Sequence, residues 1–344
     1  MSRLHFWYSC LLLSVFFVAC KKDMPLMPAP VISSRLPAVA YLANEGNFGF
    51  GNADFSRLGI RSGTLVNGIF REKNSASAGD VMQSVGIAGG RIFLLMNNSS
   101  CIHVLDTGTY KLLKTVRGLR SPRYFCKISD VYALVSDMYA RKLYLFSLTN
   151  LSVTDSFPVS GWCEKMLLHR GKVYICNADG GKLYVFDPVN LQLSDSITTY
   201  KGCSSLQVDA NGDLWVLCSG SYLPGFPSRL FRLSVQPLEI LTEKVLGSTY
   251  QAKDLEISAG RDSLWWLYGG VYGMGIAQQQ MYSFAAAGTV NAYGLTCSPV
   301  NGHLWISDAM NYQQAGRLRE YAQSGAVLAE YVTGIIPSQL TIVP

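Results

Sequence analysis

Carboxylates, amides and aromatics recur at the ends of short apolar runs along this 344-residue chain. In order they are Asn44, Glu45 and Asn47; Asp80 and Gln83; Asn98; Arg123 and Tyr124; Asp137 and Tyr139; Trp162, Glu164 and Lys165; Asn177 and Asp179; Tyr222; Lys253 and Asp254; Tyr272; Asp308, Asn311 and Tyr312; and Gln339. Aromatic faces stack on flat rings, and amides and charges orient polar substituents, so the set suits a polar small-molecule ligand or a protein partner. The competing reading is that Asn and Asp stand at strand ends because they make turns. Asp80, Asp137, Asp179 and Asp308 could converge on a calcium ion, or one could act as a base, but no EF-hand or zinc spacing accompanies them. The four histidines offer little: His5 lies in the N-terminal apolar run, His103 inside a strand, and His169 and His303 in hairpins. A histidine-centred acid–base or metal site is not expected, and the main expectation is a binding protein that is not an enzyme and carries no cofactor.

The elements that must position these residues repeat. Tyr41, Phe93, Tyr132, Tyr174, Trp215, Trp265 and Trp305 each sit inside an apolar run, 52, 39, 42, 41, 50 and 40 residues apart by their numbering. A period of this size with strand-like content predicts an all-β, seven-bladed β-propeller, one four-stranded blade per repeat. The runs 39–44, 91–97, 131–136, 172–177, 213–218, 263–268 and 303–308 read as the second strand of each blade. Segments 81–88, 124–129, 165–169, 204–209, 255–258 and 294–298 read as inner strands, joined to the second by turns such as Gly89-Gly90, Arg170-Gly171, Asn211-Gly212 and Asn301-Gly302.

The first repeat lacks an inner strand, and residues 337–344 remain after the last one. The ring is therefore expected to close with 340–343 beside 39–44, so that the two chain ends share a blade and no sheet edge stays open. This order puts all the candidate residues on one rim of the central channel. The longer loops at 44–57, 219–229 and 269–280 follow second strands and fall on that rim as well.

The N-terminal residues read as an address. Arg3 precedes an apolar stretch over 6–19, and Phe17-Val18-Ala19-Cys20 resembles a bacterial lipobox. That resemblance implies a signal peptide over 1–19, lipidation of Cys20, and a Pro-rich tether over 20–37 ahead of a propeller spanning 38–344. Lys21-Lys22-Asp23 is similar to the start of many lipoproteins of the Bacteroidota, so an outer-membrane lipoprotein, periplasmic or surface-exposed, is expected.

The net charge of +6 is spread through the strands, which gives no nucleic-acid footprint. Past residue 20 the cysteines are Cys101, Cys126, Cys163, Cys176, Cys203, Cys218 and Cys297, an odd number. Cys203 and Cys218 flank one hairpin symmetrically, as Cys163 and Cys176 flank the one before; buried free thiols are favoured over disulfides.

The strings Asn44-Glu45-Gly46-Asn47-Phe48, Gly79-Asp80-Val81-Met82-Gln83, Asn97-Asn98, Ser121-Pro122-Arg123-Tyr124 and Ser307-Asp308-Ala309 resemble those of YncE-like propeller lipoproteins of the Bacteroidota, a likeness covering about residues 38–344. Some relatives of the BtuG type capture cobalamin and dock on a TonB-dependent outer-membrane transporter. The resemblance thus implies nutrient capture, with a corrinoid as one candidate ligand, a transporter as partner and a lipid anchor in the membrane. Two alternatives stand beside it: a lactonase or lyase with a carboxylate-bound divalent cation, and a structural scaffold in an envelope complex.

Overall fold

Seven antiparallel sheets of four strands each make up the propeller in a computed structural model that describes residues 39–284, 286 and 288–343. The signal peptide, Cys20 and the tether expected over 1–37 lie outside the described residues. Second strands such as Arg91–Met96, Lys172–Asn177 and Leu304–Asp308 are buried almost throughout, as expected of strands with a blade packed against each face. Outer strands such as Gln192–Thr198 alternate or are exposed.

Closure follows the expected scheme. The strand Pro337–Val343 is the inner strand of the first blade, with Val39 opposite Val343 and Leu42 opposite Leu340. The seven inner strands then touch in a closed ring, that of the last blade against Pro337–Val343 and Pro337–Val343 against that of the second. Packing there is tight: a Cβ on Gly294 would lie 1.9 Å from the Ser338 carbonyl oxygen.

One rung of the aromatic ruler is misplaced. Tyr132 is only half-buried, and Leu134, fully buried two residues on and on the same face, holds the core position in the third blade. On the opposite face, Phe146 pairs directly across from the small Ala133, and Phe125 stacks on Phe93 at 4.5 Å, so neighbouring rings fill the volume beside it. Measured through Leu134 the steps become 41 and 40. The long first step holds an insertion the sequence pattern did not show, the helix Ile69–Asn74, which buries Ile69 and Phe70 and whose Phe70 and Arg71 amides donate to the Asp54 carboxylate.

The described cysteines are free, and all but Cys126 are buried. Cys203 does pair across from Cys218, but Cys163 pairs with Asn177 rather than Cys176.

Candidate functional site

Each inner strand carries one residue more than its partner at the same level. The register slips between Met82 and Ser84, Pro122 and Phe125, Cys163 and Met166, Cys203 and Ser205, Lys253 and Glu256, and Ala292 and Gly294, and on the closing strand opposite Leu42 and Asn44. Such a bulge twists the strand and re-aims the side chains it carries. The residues inside these slips are Gln83, Arg123, Tyr124, Glu164, Lys165, Ser204, Asp254, Leu255, Tyr293, Ser338 and Gln339. All but the buried Leu255 line one cavity of about 660 Å³ at the channel mouth. Seven equivalent irregularities therefore build the site.

Of the residues expected on this rim, the cavity wall takes Glu45, Gln83, Arg123, Tyr124, Trp162, Glu164, Lys165, Asp179, Tyr222, Lys253, Asp254 and Gln339. Sequence reasoning missed Lys201, Ser204, Ser205, Ser219, Gln251, Tyr293 and Ser338 as site residues. Tyr293 stands one position before the segment read as a strand, and an aromatic at that level beside Gln83 and Tyr124 was the available signal.

The rest of the set lies outside the cavity, and most of it stitches loops. Asp137 is fully buried and accepts from the Arg120, Ser121, Tyr139 and Ala140 amides. Asp308 accepts from Val290, Asn291 and Met310 and from the Arg319 guanidinium. Asn177 holds Gly180 and Ser160, and Asn44 holds Ser56 and Gly334. In each case the last residue of a second strand ties down the connection entering its own blade, the turn-forming role of Asx side chains. Asp80 accepts from Gly49 and Asn98, Asn47 donates to the Tyr312 carbonyl, and Asn311 caps Gln313 and Gln314. Tyr139 packs beside Arg120, and Tyr272 stacks on Trp266. The four aspartates do not converge, and no group of three His, Cys, Asp or Glu among the described residues is placed to hold a metal ion.

Within the cavity, charges are paired in an ordered way. Arg123 grips Glu164 with two nitrogens, Nη2 at 2.8 Å from Oε1 and Nε at 3.2 Å from Oε2, while its Nη1 donates to Gln83. Burial opposes the Arg123 charge, but Glu164, Tyr124 and Glu45 together outweigh it and hold the guanidinium firmly protonated. Lys165 reaches Asp254 at 3.1 Å and also stays charged despite burial. Asp254 sits at φ 54°, a left-handed backbone rare outside glycine.

Glu45 has a different environment. It meets no cation within ion-pair distance, and Tyr293 Oη donates to its Oε2 at 2.9 Å. Burial raises its carboxyl to about 7, against the lowering pull of the Tyr293 hydrogen bond and of Arg123 and Lys253. A carboxyl poised near neutrality in a polar cavity can both take and give a proton. The Trp162 indole N–H is buried without an acceptor among the described residues.

A second cavity of about 570 Å³ occupies the other half of the channel, sharing Tyr124, Lys165 and Gln339 with the first. Its walls include Val85, Ile87, Phe125, Met166, Leu206 and Ile342, and burial raises its Glu256 to about 7.

The propeller matches, over residues 39–318, the family model described as "Domain of unknown function (DUF5074)", and the chain belongs to that family. No curated protein matches it significantly in sequence. Among solved structures it is similar to a periplasmic gluconolactonase of Pseudomonas aeruginosa, at 15% identity and TM-score 0.66 over 89% of this chain and 99% of that one. It is also similar to a Bacteroides fragilis protein proposed to be a 6-phosphogluconolactonase, at 11% identity and TM-score 0.68 over 89% and 98% of the two chains. A third is hydrazine synthase of Kuenenia stuttgartiensis, at 12% identity and TM-score 0.65 over 75% and 88%. At these identities the likeness is one of fold.

The expectation of a protein that is not an enzyme is corrected here. It rested on the scarcity of histidines, yet propellers of this fold include a gluconolactonase and hydrazine synthase, and the cavity holds a carboxyl, Glu45, that burial raises to about 7 without any histidine.

Proposed function

We propose that this DUF5074-family propeller is an extracytoplasmic hydrolase of the lactonase type, acting on a small, hydrophilic cyclic ester in the 660 Å³ cavity. The observation that carries this is the Glu45–Tyr293 pair, a partly buried carboxyl raised to about 7 and held by a phenol at 2.9 Å. In its ionised form Glu45 takes a proton from water as the water oxygen adds to the acyl carbon. The ring C–O bond then breaks, and the same carboxyl returns the proton to the departing alkoxide, so one group serves as base and then as acid. Arg123 adds fixed positive charge to the cavity wall, where developing oxyanion charge is stabilised. The likeness to gluconolactonase makes aldonolactones the first substrates to try. Hydrolysis by the wild type, falling by about 100-fold or more in Glu45→Gln with Tm kept, is the expected result; equal rates in both proteins would sink the reading.

One observation favours a second reading, nutrient capture in front of a TonB-dependent outer-membrane transporter. Phe48, Phe50 and Tyr222 stand 75%, 77% and 90% exposed in loops of the candidate rim, and such aromatics suit a flat organic ligand or a protein surface. In this reading lipidation at Cys20 anchors the propeller, and a corrinoid is a candidate ligand. Binding of a corrinoid, weakened by Trp162→Ala and Tyr312→Ala, supports it; absence of binding together with a soluble Cys20→Ala and an equally soluble wild type removes it.

A further inference from the structure

The basic groups of the cavity divide into committed and free. Arg123 is bound by Glu164 through two nitrogens, and Lys165 is held by Asp254. Lys253 lines the same wall with no carboxylate within 4 Å. Its ammonium instead sits 4.1 Å from the centre of the Tyr293 ring. A cation over an aromatic face gains on the order of 0.5 to 2 kcal/mol, less than a buried ammonium loses with its water. Lys201, also without an ion pair, is exposed at the rim over Phe226 and keeps its hydration. Lys253 is therefore the partly buried cation of the cavity whose counter-charge is missing among the described residues.

We infer that Lys253 anchors a carboxylate carried by the ligand, so that the cavity selects sugar acids, and lactones that keep a second, free carboxylate, over neutral sugars. This rests on reading the cavity as a substrate site. Three observations narrow the class. The one guanidinium in the wall is already occupied by Glu164, which leaves no free fork for the bidentate grip that suits a phosphate dianion. A single ammonium with hydroxyls nearby, Ser204 and Ser338 on the same ring of bulges, matches a monoanion with polar substituents. The neighbouring acids do not cancel the charge: Asp254 is engaged by Lys165, and Glu45, raised by burial to about 7, carries only part of its charge near pH 7 and makes no ion pair with Lys253. Burial lowers the Lys253 amine from its ordinary value, the direction expected of a cation awaiting a partner.

The test is calorimetric binding of gluconate, glucuronate and glucose to the wild type, Lys253→Met and Lys253→Arg, with Tm recorded for each. The expected result is that the acids bind at least tenfold tighter than glucose. Lys253→Met should weaken the acids by about 10- to 100-fold while leaving glucose unchanged, and Lys253→Arg should recover most of the loss. Equal binding of acids and glucose, an unchanged Lys253→Met, or no measurable binding of either acid overturns the inference. Turnover separates it from the hydrolase reading. Acid binding without lactone hydrolysis leaves Lys253 as anchor and removes the hydrolase. Hydrolysis without acid preference does the reverse.

Discussion

The Tyr293 hydroxyl reaches across the ring closure to Glu45, so a hydrogen bond of 2.9 Å joins the inner strand of the last blade to the loop after the second strand of the first. The residues are 248 apart in sequence. This corner of the cavity is thus assembled only when the first and last blades have met.

The titration of Glu45 gives a stability signature. Its folded value, about 7, lies above the ordinary carboxylate value of 4.5. A raised acid favours folding when protonated, so the contribution is complete below about pH 4.5 and is lost as pH rises toward and through 7. Glu45→Gln keeps the polar contact to Tyr293 without the charge. Its unfolding free energy should match the wild type near pH 4.5 and exceed it at pH 8, by an amount on the order of 1 to 2 kcal/mol. A constant difference across that range would refute the assignment. If Glu45 is the base, kcat/KM for a lactone should rise with pH through about 7 in the wild type.

Arg123 and Glu164 form an ion pair with side chains 19% and 7% exposed. Removing one partner leaves a charge stranded, so Arg123→Met or Glu164→Gln should each cost about 2 to 4 kcal/mol in urea unfolding. The double variant should cost clearly less than the sum, with a coupling of about 1 to 3 kcal/mol. Strict additivity would mean the pair is not a unit.

Deleting residues 337–344 removes the inner strand of the first blade and opens the sheet edge at 39–44. Loss of the cooperative thermal transition is expected by calorimetry. A truncated chain that melts like the full one would show that the ring does not need its closure.

Gly294→Ala tests the packing between the last and first blades. The new methyl would lie 1.9 Å from the Ser338 carbonyl oxygen and 2.6 Å from Ser307 Oγ, and the blocking atom is backbone. A loss of about 2 to 4 kcal/mol follows, beyond what helix or strand preference for alanine could offset. The matched control, Gly118→Ala, meets nothing within 4 Å but has φ 92°, and should cost about 1 kcal/mol from backbone strain alone.

Blade number, strand order and ring closure were legible because they depend on period and on residues left over at the two ends. The channel rim was legible for the same reason. What local pattern could not reveal was which rim residues face inward. Asp137 and Asp308 look like ligands in sequence, yet the loop amides beside them need acceptors, and that need decides their orientation. Tyr293 and Ser204 owe their place to a register slip between two strands, a relation invisible within either one. Leu134 hid behind Tyr132 because an aromatic stands two residues earlier on the same face of the strand, and only packing against the next blade tells the two apart. The poise of Glu45 likewise comes from desolvation by surroundings distant in sequence.

The recurrence of one extra residue in each inner strand has an evolutionary corollary. Side chains held in these seven places stand outside the regular ladder, so exchanging one leaves the pairing on either side intact. Gln83, Ser204 and Tyr293 occupy equivalent places with unrelated chemistry. A lineage could therefore change what this channel recognises one blade at a time, and family members with the same scaffold need share no ligand.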